Sequence, residues 1–508
     1  MANNSVRGQN PLMKQDYPDA DVIRVEDTYY MISTTMHFMP GGAILRSYDL
    51  IHWEMAGYIY ETLDDTPEQT LEGDLNIYGK GMWAASLRHH KGIFYVCFVC
   101  NDTHKTYLYD SDRIEGPWRK RTIEGFYHDC SLFFDEDDRV YIIYGNKTIW
   151  LTELNETLTA PKKDGLNRIL VEDKDHPGLG YEGSHFYKIN GNYYIFLIHS
   201  LRERWFRTEA CFFSNSLEGE FTGGDVLCDD MGFRGSGVAQ GGIVDTPEGK
   251  WFAVLFQDRG AVGRIPVLVP IIWRGKIPVL GTNGKVPLEV KVETKTTRID
   301  YTYTPLYLSD DFIYEPDEDG KIHLNLVWQW NHTPRNDLWS VTQRKGALRL
   351  KSGKISKNVT QSYNTLTQRT TESNSAASVT IDASAIKDGD FAGIAAFQGN
   401  YGAVAITREQ DNYFIVMLHK VQEEMIQQKV PVKDPLVTLR CQVDYRDEKD
   451  EALFFYEEDG VWVPIGTSHK LVFQLDHFTG CRFGLFYYST KETGGKADFM
   501  RFQYECNG

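Results

Sequence analysis

The sequence predicts an all-β chain, a five-bladed β-propeller followed by a jelly-roll-like β-sandwich, and three observations carry that prediction. A hairpin pattern recurs five times between residues 19 and 255. Aromatic residues make up 13% of the chain and glycines number 44, a balance that favours pleated strands and tight turns over helices. Past residue 309 the strand alternation continues without the repeat, as in "SAASVTIDAS" and "ALFFYEEDG". A chain of 508 residues exceeds one ordinary core, so two domains are expected: a propeller over 1–300, a short linker over 301–308 and a sandwich over 309–508. The linker lacks glycine and serine, which predicts rigid docking of the two.

The five hairpins begin at Asp19 ("DADVIRVEDTYYMIS"), Trp83 ("WAASLRHHKGIFYVCF"), Asp129 ("DCSLFFDEDDRVYIIY"), Glu182 ("EGSHFYKINGNYYIFL") and Gln240 ("QGGIVDTPEGKWFAVL"). Each has a turn at its middle, Asn190-Gly191 being the plainest because both central residues of a tight hairpin loop need φ > 0. The leading residue precedes the aromatic of the second strand by eleven or twelve positions in every copy. Segments such as "ILRSYDLIHW", "YLYDSDRIEGPW" and "CFFSNSLEGEF" follow and supply the outer strands. In a propeller the first strand of each blade lines the axis. Asp19, Trp83, Asp129, Glu182 and Gln240 should therefore face one central channel.

Composition excludes several partners. A formal net charge of −17 repels nucleic acid and anionic membrane surfaces, so a neutral or cationic ligand is favoured. No 18-residue apolar run is present and the first residues lack the apolar stretch of a secretory leader, so the expectation is a cytoplasmic protein. Eight cysteines are too few for a disulfide scaffold. Cys97 and Cys100 sit three apart in one strand, which puts their sulfurs on opposite faces and argues against a zinc or redox pair.

Any one carboxylate at the mouth of a strand reads first as a turn or cap residue. Three at equivalent positions of a repeat, Asp19, Asp129 and Glu182, read as a site. At an effective dielectric of about 20, two carboxylates roughly 6 Å apart repel by about 2 to 3 kcal/mol, which keeps one protonated near neutrality. A protonated acid opposite an ionised base is what glycosidic bond cleavage requires. Trp83 is the candidate platform for the apolar face of a sugar, its other reading being a core tryptophan between blades. Calcium would want six to eight oxygen ligands, and no D-x-D-x-D-G loop supplies them. Trp328, Trp330 and Trp339 form a second aromatic cluster, read as core or domain interface in preference to a glycan site.

At these residues the chain resembles glycoside hydrolase family 43. "NPLMKQDYPDADVIRVEDTYYMISTT", "GKGMWAASLRHHKGIFYVCF", "HDCSLFFDEDDRVYIIYG" and "YEGSHFYKINGNYYIFL" are similar to the family's ordered motifs, and the segment from about residue 309 is similar to its C-terminal sandwich. The resemblance implies Asp19 as general base, Asp129 as the carboxylate that modulates the acid, and Glu182 as general acid. It implies substrate contacts from Trp83, from Arg264 in "FQDRGAVGRIPVLVPIIW", from Gln240, and from His37 and Phe38 in "TMHFMPG", where family xylosidases carry F-E-W-F-P-G. Prolines are replaced by Ala20 and Cys130 in the two Asp motifs. No cofactor is required, and the ion the resemblance admits is calcium near the propeller axis, beside Gln240, where many members carry histidine. The implied activity is an inverting exo-hydrolase of arabinoxylan or xylo-oligosaccharides. It would release α-L-arabinofuranose, on the ground that the wall after the first hairpin departs from the xylosidase pattern; the alternatives are exo-β-1,4-xylosidase or both activities, and a non-catalytic glycan-binding propeller.

Overall fold

The computed structural model describes residues 4–507; the outermost positions of the expected domain boundaries, 1–3 and 508, lie outside the described residues. Five four-stranded antiparallel sheets follow one another in sequence, spanning Asp21–Tyr60, Met82–Ile123, Ser131–Glu172, Glu182–Leu227 and Ala239–Leu280. These are the five blades of a propeller, numbered one to five here.

Each blade is buried on both faces, which explains why its strands read as continuous apolar runs. In Asn192–Ser200, Ile195 and Leu197 enter a core shared with blade three, while Tyr194 and Phe196 enter one shared with blade five. Alternate side chains of a strand point to opposite faces, so one strand feeds two cores. Cys97 and Cys100 obey the same rule: Cys97 lies against Cys130, its sulfur 3.6 Å away, and Cys100 packs toward blade one.

The innermost strands are stitched into a closed ring. Asp21 of blade one accepts the Leu87 N–H of blade two at 2.8 Å, and Ser86 of blade two accepts the Leu132 N–H of blade three at 3.0 Å. Ser131 accepts the Phe186 N–H at 3.1 Å, and the Tyr187 hydroxyl accepts the Ile243 N–H at 2.9 Å. Gly242 closes the circle by donating its N–H to the Ala20 carbonyl at 2.8 Å. A Cβ on Gly242 would stand 2.7 Å from both Asp21 Oδ1 and the Val22 nitrogen, so only glycine allows this approach.

At the centre of the ring, Asp21 binds Arg88 at 2.5 Å and His185 at 3.1 Å, and Arg88 reaches Ser131 at 2.7 Å. Burial alone would raise the Asp21 carboxyl; Arg88 and His185 outweigh it and hold the group below its usual range. The axial cation at this level is thus a guanidinium. One carboxylate already committed to two cationic partners is not a calcium ligand set, so the residues here do not fit the expected ion.

The C-terminal domain is two eight-stranded sheets enclosing a large apolar core. Trp328 and Trp330 are buried in it and Trp339 packs on Trp330 with ring centres 5.0 Å apart, in agreement with the core reading. The linker is laid against blade one: Thr304 donates to Glu54 and Tyr303 accepts the Tyr48 N–H, both at 2.9 Å.

Two features fuse the domains. Phe38–Met39, after the first hairpin, forms the edge strand of a sandwich sheet by pairing with Gln329–Asn331. Ala261, Val262 and Ile265 of the propeller join the sandwich core. Around this seam His37, His332 and His477 gather, His37 having ring centres 5.1 Å from each of the others, with Tyr78 between. Burial pushes all three imidazoles down, His477 to about 3; His37 is pushed further by the two neighbouring rings and by Arg482, His332 by His477 and Lys354, and His477 by Lys420.

An imidazole kept neutral by folding gives its full stability above the unfolded value near 6.5 and loses it as pH falls below that value. His37→Leu replaces a ring whose nitrogens have no hydrogen-bond partner among the described residues. Urea titrations from about pH 7 to 5.5 should show the variant losing less stability than the wild type, by up to about 1.4 kcal/mol per pH unit. Parallel slopes in the two proteins would contradict a buried neutral His37.

Candidate active site

Each of the five inner strands has a left-handed residue within two positions of its start: Asp19 (φ 54°), Ala84 (28°), Asp129 (48°), Gly183 (64°) and Gln240 (57°). Non-glycine residues pay strain in this region, and strain held at matching places in four blades marks a functional rim. Asp19, Asp129 and Gln240 occupy the kink itself. Trp83 and Glu182 stand one residue ahead of it, with a register shift after each. Gly183 has a further reason to be glycine, since a Cβ would come within 2.8 Å of the Gln240 side chain.

The kinks, with the strand that begins at Arg264, bring five predicted residues together. Arg264, from Arg264–Arg274 of blade five, donates from Nη1 to Asp19 Oδ1 at 2.7 Å, both groups being almost fully buried. His128 bridges the other two acids, its Nε2 lying 3.7 Å from Asp129 Oδ1 and 3.6 Å from Glu182 Oε2. Asn146 of blade three donates from Nδ2 to Glu182 Oε2. Trp83 joins the group, its ring 6.2 Å from that of His128.

Charges inside the pocket follow from burial. Asp19 is pushed up first by burial; Arg264 and a hydrogen bond from Thr34 pull it down, while the Asp129 charge pushes it higher. Asp129 is also raised by burial, against the pull of His128 and with a further push from Glu182. Desolvation therefore comes first here and repulsion between carboxylates second, the reverse of the order expected from the sequence. His128 is raised to about 9, Asp129 being the largest cause, so it is a cation at neutral pH.

His128, Asp129 and Glu182 offer three ligand atoms within 4.8 Å of one another. One imidazole and two carboxylates fall short of the six to eight oxygen ligands of calcium, so this group does not fit that ion.

Gln240 lies at the pocket's blade-five side, its N–H held at 2.7 Å by Glu209, a buried acid pushed well above the carboxylate range by desolvation. His37 and Phe38 are elsewhere. Both are fully buried at the domain seam, Phe38 beneath the Arg482 guanidinium at 3.5 Å, so neither walls the pocket. Strand exchange with Gln329–Asn331 pulls them away. Arg259 is committed to Glu372 of the sandwich at 2.7 Å.

Sequence reading missed His128, Asn146 and Phe478. His128 is adjacent to Asp129 in the quoted motif, a signal that was legible. Phe478 comes from the sandwich: its ring lies 5.4 Å from Trp83 and 4.4 Å beneath the Arg264 guanidinium. Its loop is seated by Asp16, which accepts the Gly480 N–H and the Arg264 N–H, each at 2.8 Å. Arg264 Nε and Nη2 and Trp83 Nε1 are buried and have no hydrogen-bond partner among the described residues. These free donors beside two rings and three acids suit hydroxyl groups on an apolar ring.

Comparison with known proteins agrees with this chemistry. The family profile described as glycosyl hydrolases family 43 matches residues 8–277, more than half of the chain. A second, the beta xylosidase C-terminal concanavalin A-like domain, matches 319–505. A relative named beta-xylosidase from Formosa agariphila is 28% identical, with 98% of this chain and 90% of the relative aligned. The structure of a bifunctional GH43-CE protein of Bacteroides eggerthii is 41% identical at a TM-score of 0.91 over 99% of this chain, which spans 64% of that longer one. An engineered GH43 enzyme displaying endo-xylanase and exo-arabinofuranosidase activity is 26% identical at a TM-score of 0.89, covering 99% and 100% of the two chains.

Because the Arg264 cation pulls Asp19 down, Arg264→Met should raise the acid limb of the kcat/KM profile by about 1 to 3 pH units, while Arg264→Lys largely preserves it. Circular dichroism establishes that each variant is folded. Superimposable acid limbs in wild type and Arg264→Met would show that Asp19 does not govern the limb.

Proposed function

This chain belongs to glycosyl hydrolases family 43, and from that premise we propose that its pocket removes one terminal pentosyl residue from xylan-type oligosaccharides with inversion at the anomeric carbon. The observation that carries the reading is the convergence of Asp19 and Glu182 from kinked strands of two blades, each with its own supporting partners: Arg264 for Asp19, Asn146 and His128 for Glu182. Asp19, poised upward by burial, takes a proton from water as that water attacks the anomeric carbon. Glu182 gives its proton to the departing oxygen. Asp129 and His128 fix the charge beside Glu182, and Arg264 and Trp83 hold the sugar. An inverting pair needs about 6.5 to 9.5 Å between carboxyls to admit the water. The scheme uses no cofactor.

Of the two pentoses, β-D-xylose is favoured by the relative named beta-xylosidase over 98% of the chain. The segment after the first hairpin does not favour arabinofuranose, because its His37 and Phe38 are buried at the seam. α-L-Arabinofuranose remains the second reading, supported by the exo-arabinofuranosidase activity named for the engineered relative.

Glu182→Gln should lower hydrolysis of xylo-oligosaccharides by about 10²- to 10⁴-fold while sparing aryl pentosides whose leaving groups need no proton. Nitrophenyl xyloside against nitrophenyl arabinofuranoside ranks the pentoses, and proton NMR of the first-formed anomer reads the stereochemistry. Full activity of Glu182→Gln on natural linkages would remove Glu182 from the role of acid.

A further inference from the structure

The loop over 201–206 joins the second and third strands of blade four on the pocket face. Glu182 pairs with Ile198, the second strand ends two residues later at Ser200, and Arg207 re-enters opposite Ser200. The turn is clamped: the Leu201 N–H donates to the Phe206 carbonyl at 3.0 Å, and Arg202 binds Asp173 at 2.9 Å. Phe206 folds inward and is buried. Trp205 does the reverse and is 62% exposed. An indole held on a fixed turn with its ring open to water is available to the apolar face of a ligand.

A ladder of alternating rings and guanidinium groups connects this indole to the pocket floor. Arg264 lies 4.4 Å from the Phe478 ring and 5.4 Å from that of Phe256; Arg207 lies 5.5 Å from Phe256 and 5.6 Å from Trp205. Arg207 is ion-paired to Asp258, and the charges of Asp19 and Glu182 both reach it. Trp205 is therefore one guanidinium removed from the groups around the reacting sugar.

The geometry points to Trp205 as the platform for the leaving-group sugar, a neutral pyranose ring whose C–H face covers the indole. This rests on the reading of Glu182 as the acid, because the departing oxygen then lies on the side that the blade-four loop crowns. A ring held there contributes binding energy remote from the bond being broken, which an enzyme can use in the transition state. The pentosyl transfer to water is unchanged; only the hold on the leaving group is added.

The test uses the full chain with two substrates that share one glycone: xylobiose, whose leaving group is a sugar ring, and β-D-xylosyl fluoride, whose leaving group has none. If the wild type releases arabinofuranose instead, the corresponding arabinofuranosyl-xylose and arabinofuranosyl fluoride replace them. Trp205→Ala should lower the ratio of kcat/KM on the disaccharide to kcat/KM on the fluoride about tenfold, and Trp205→Tyr should restore most of it. An unchanged ratio, or equal losses on both substrates, would overturn the platform. A wild type inert on every pair would sink the hydrolase reading itself, and the platform with it.

Discussion

The closed ring of hydrogen bonds among the five innermost strands is the constraint on which the site depends. The inner strands of blades two to five each lend an N–H to the blade before, and blade five lends a second, from Gly242 to Ala20, that returns to the segment that also carries Asp19. Register inside each blade is set by its own hairpin. Register between blades is set by this ring, and the kink that presents each pocket residue sits just above it. Asp21 and Arg88 fill the axis beneath, so the pocket has a charged, hydrogen-bonded floor. The strained φ values at Asp19, Asp129 and Gln240 persist because the strands that follow them have no freedom to relax.

A second constraint comes from the sandwich. Asp16 uses one carboxylate oxygen on the Arg264 backbone and the other on Gly480, so one side chain ties the first blade's approach, the last blade and the aromatic loop of the other domain. Arg264 is held from its backbone by Asp16, from its tip by Asp19 and from its face by Phe478. The site is thus assembled by residues from both ends of the chain, and domain docking is part of its geometry.

This distribution explains what could be read in the sequence. The blades and the three acids were legible because they repeat: hairpin length, turn and aromatic recur in phase, and a repeat reports position even when each copy is ambiguous. The half-step between blades was not legible. Trp83 and Glu182 precede the kink while Asp19, Asp129 and Gln240 occupy it, and side-chain alternation cannot show where a bulge falls. His37 and Phe38 were misplaced because their neighbourhood is decided by pairing with Gln329–Asn331, nearly three hundred residues away. Phe478 was missed for the same reason, in a loop with no local pattern of its own.

The short strand Phe38–Met39 has a consequence for how such a chain can be cut or recombined. It belongs to the propeller by connectivity and to the sandwich by hydrogen bonding, and it completes the latter's eight-stranded sheet as an edge. Severing the polypeptide between the two would strip that sheet of its border and lay bare Phe38 and the rings around it. The halves are consequently not interchangeable modules: a graft onto a foreign partner must carry the matching border strand, and drift at residues 36–40 is tolerated only in step with the stretch near Trp330.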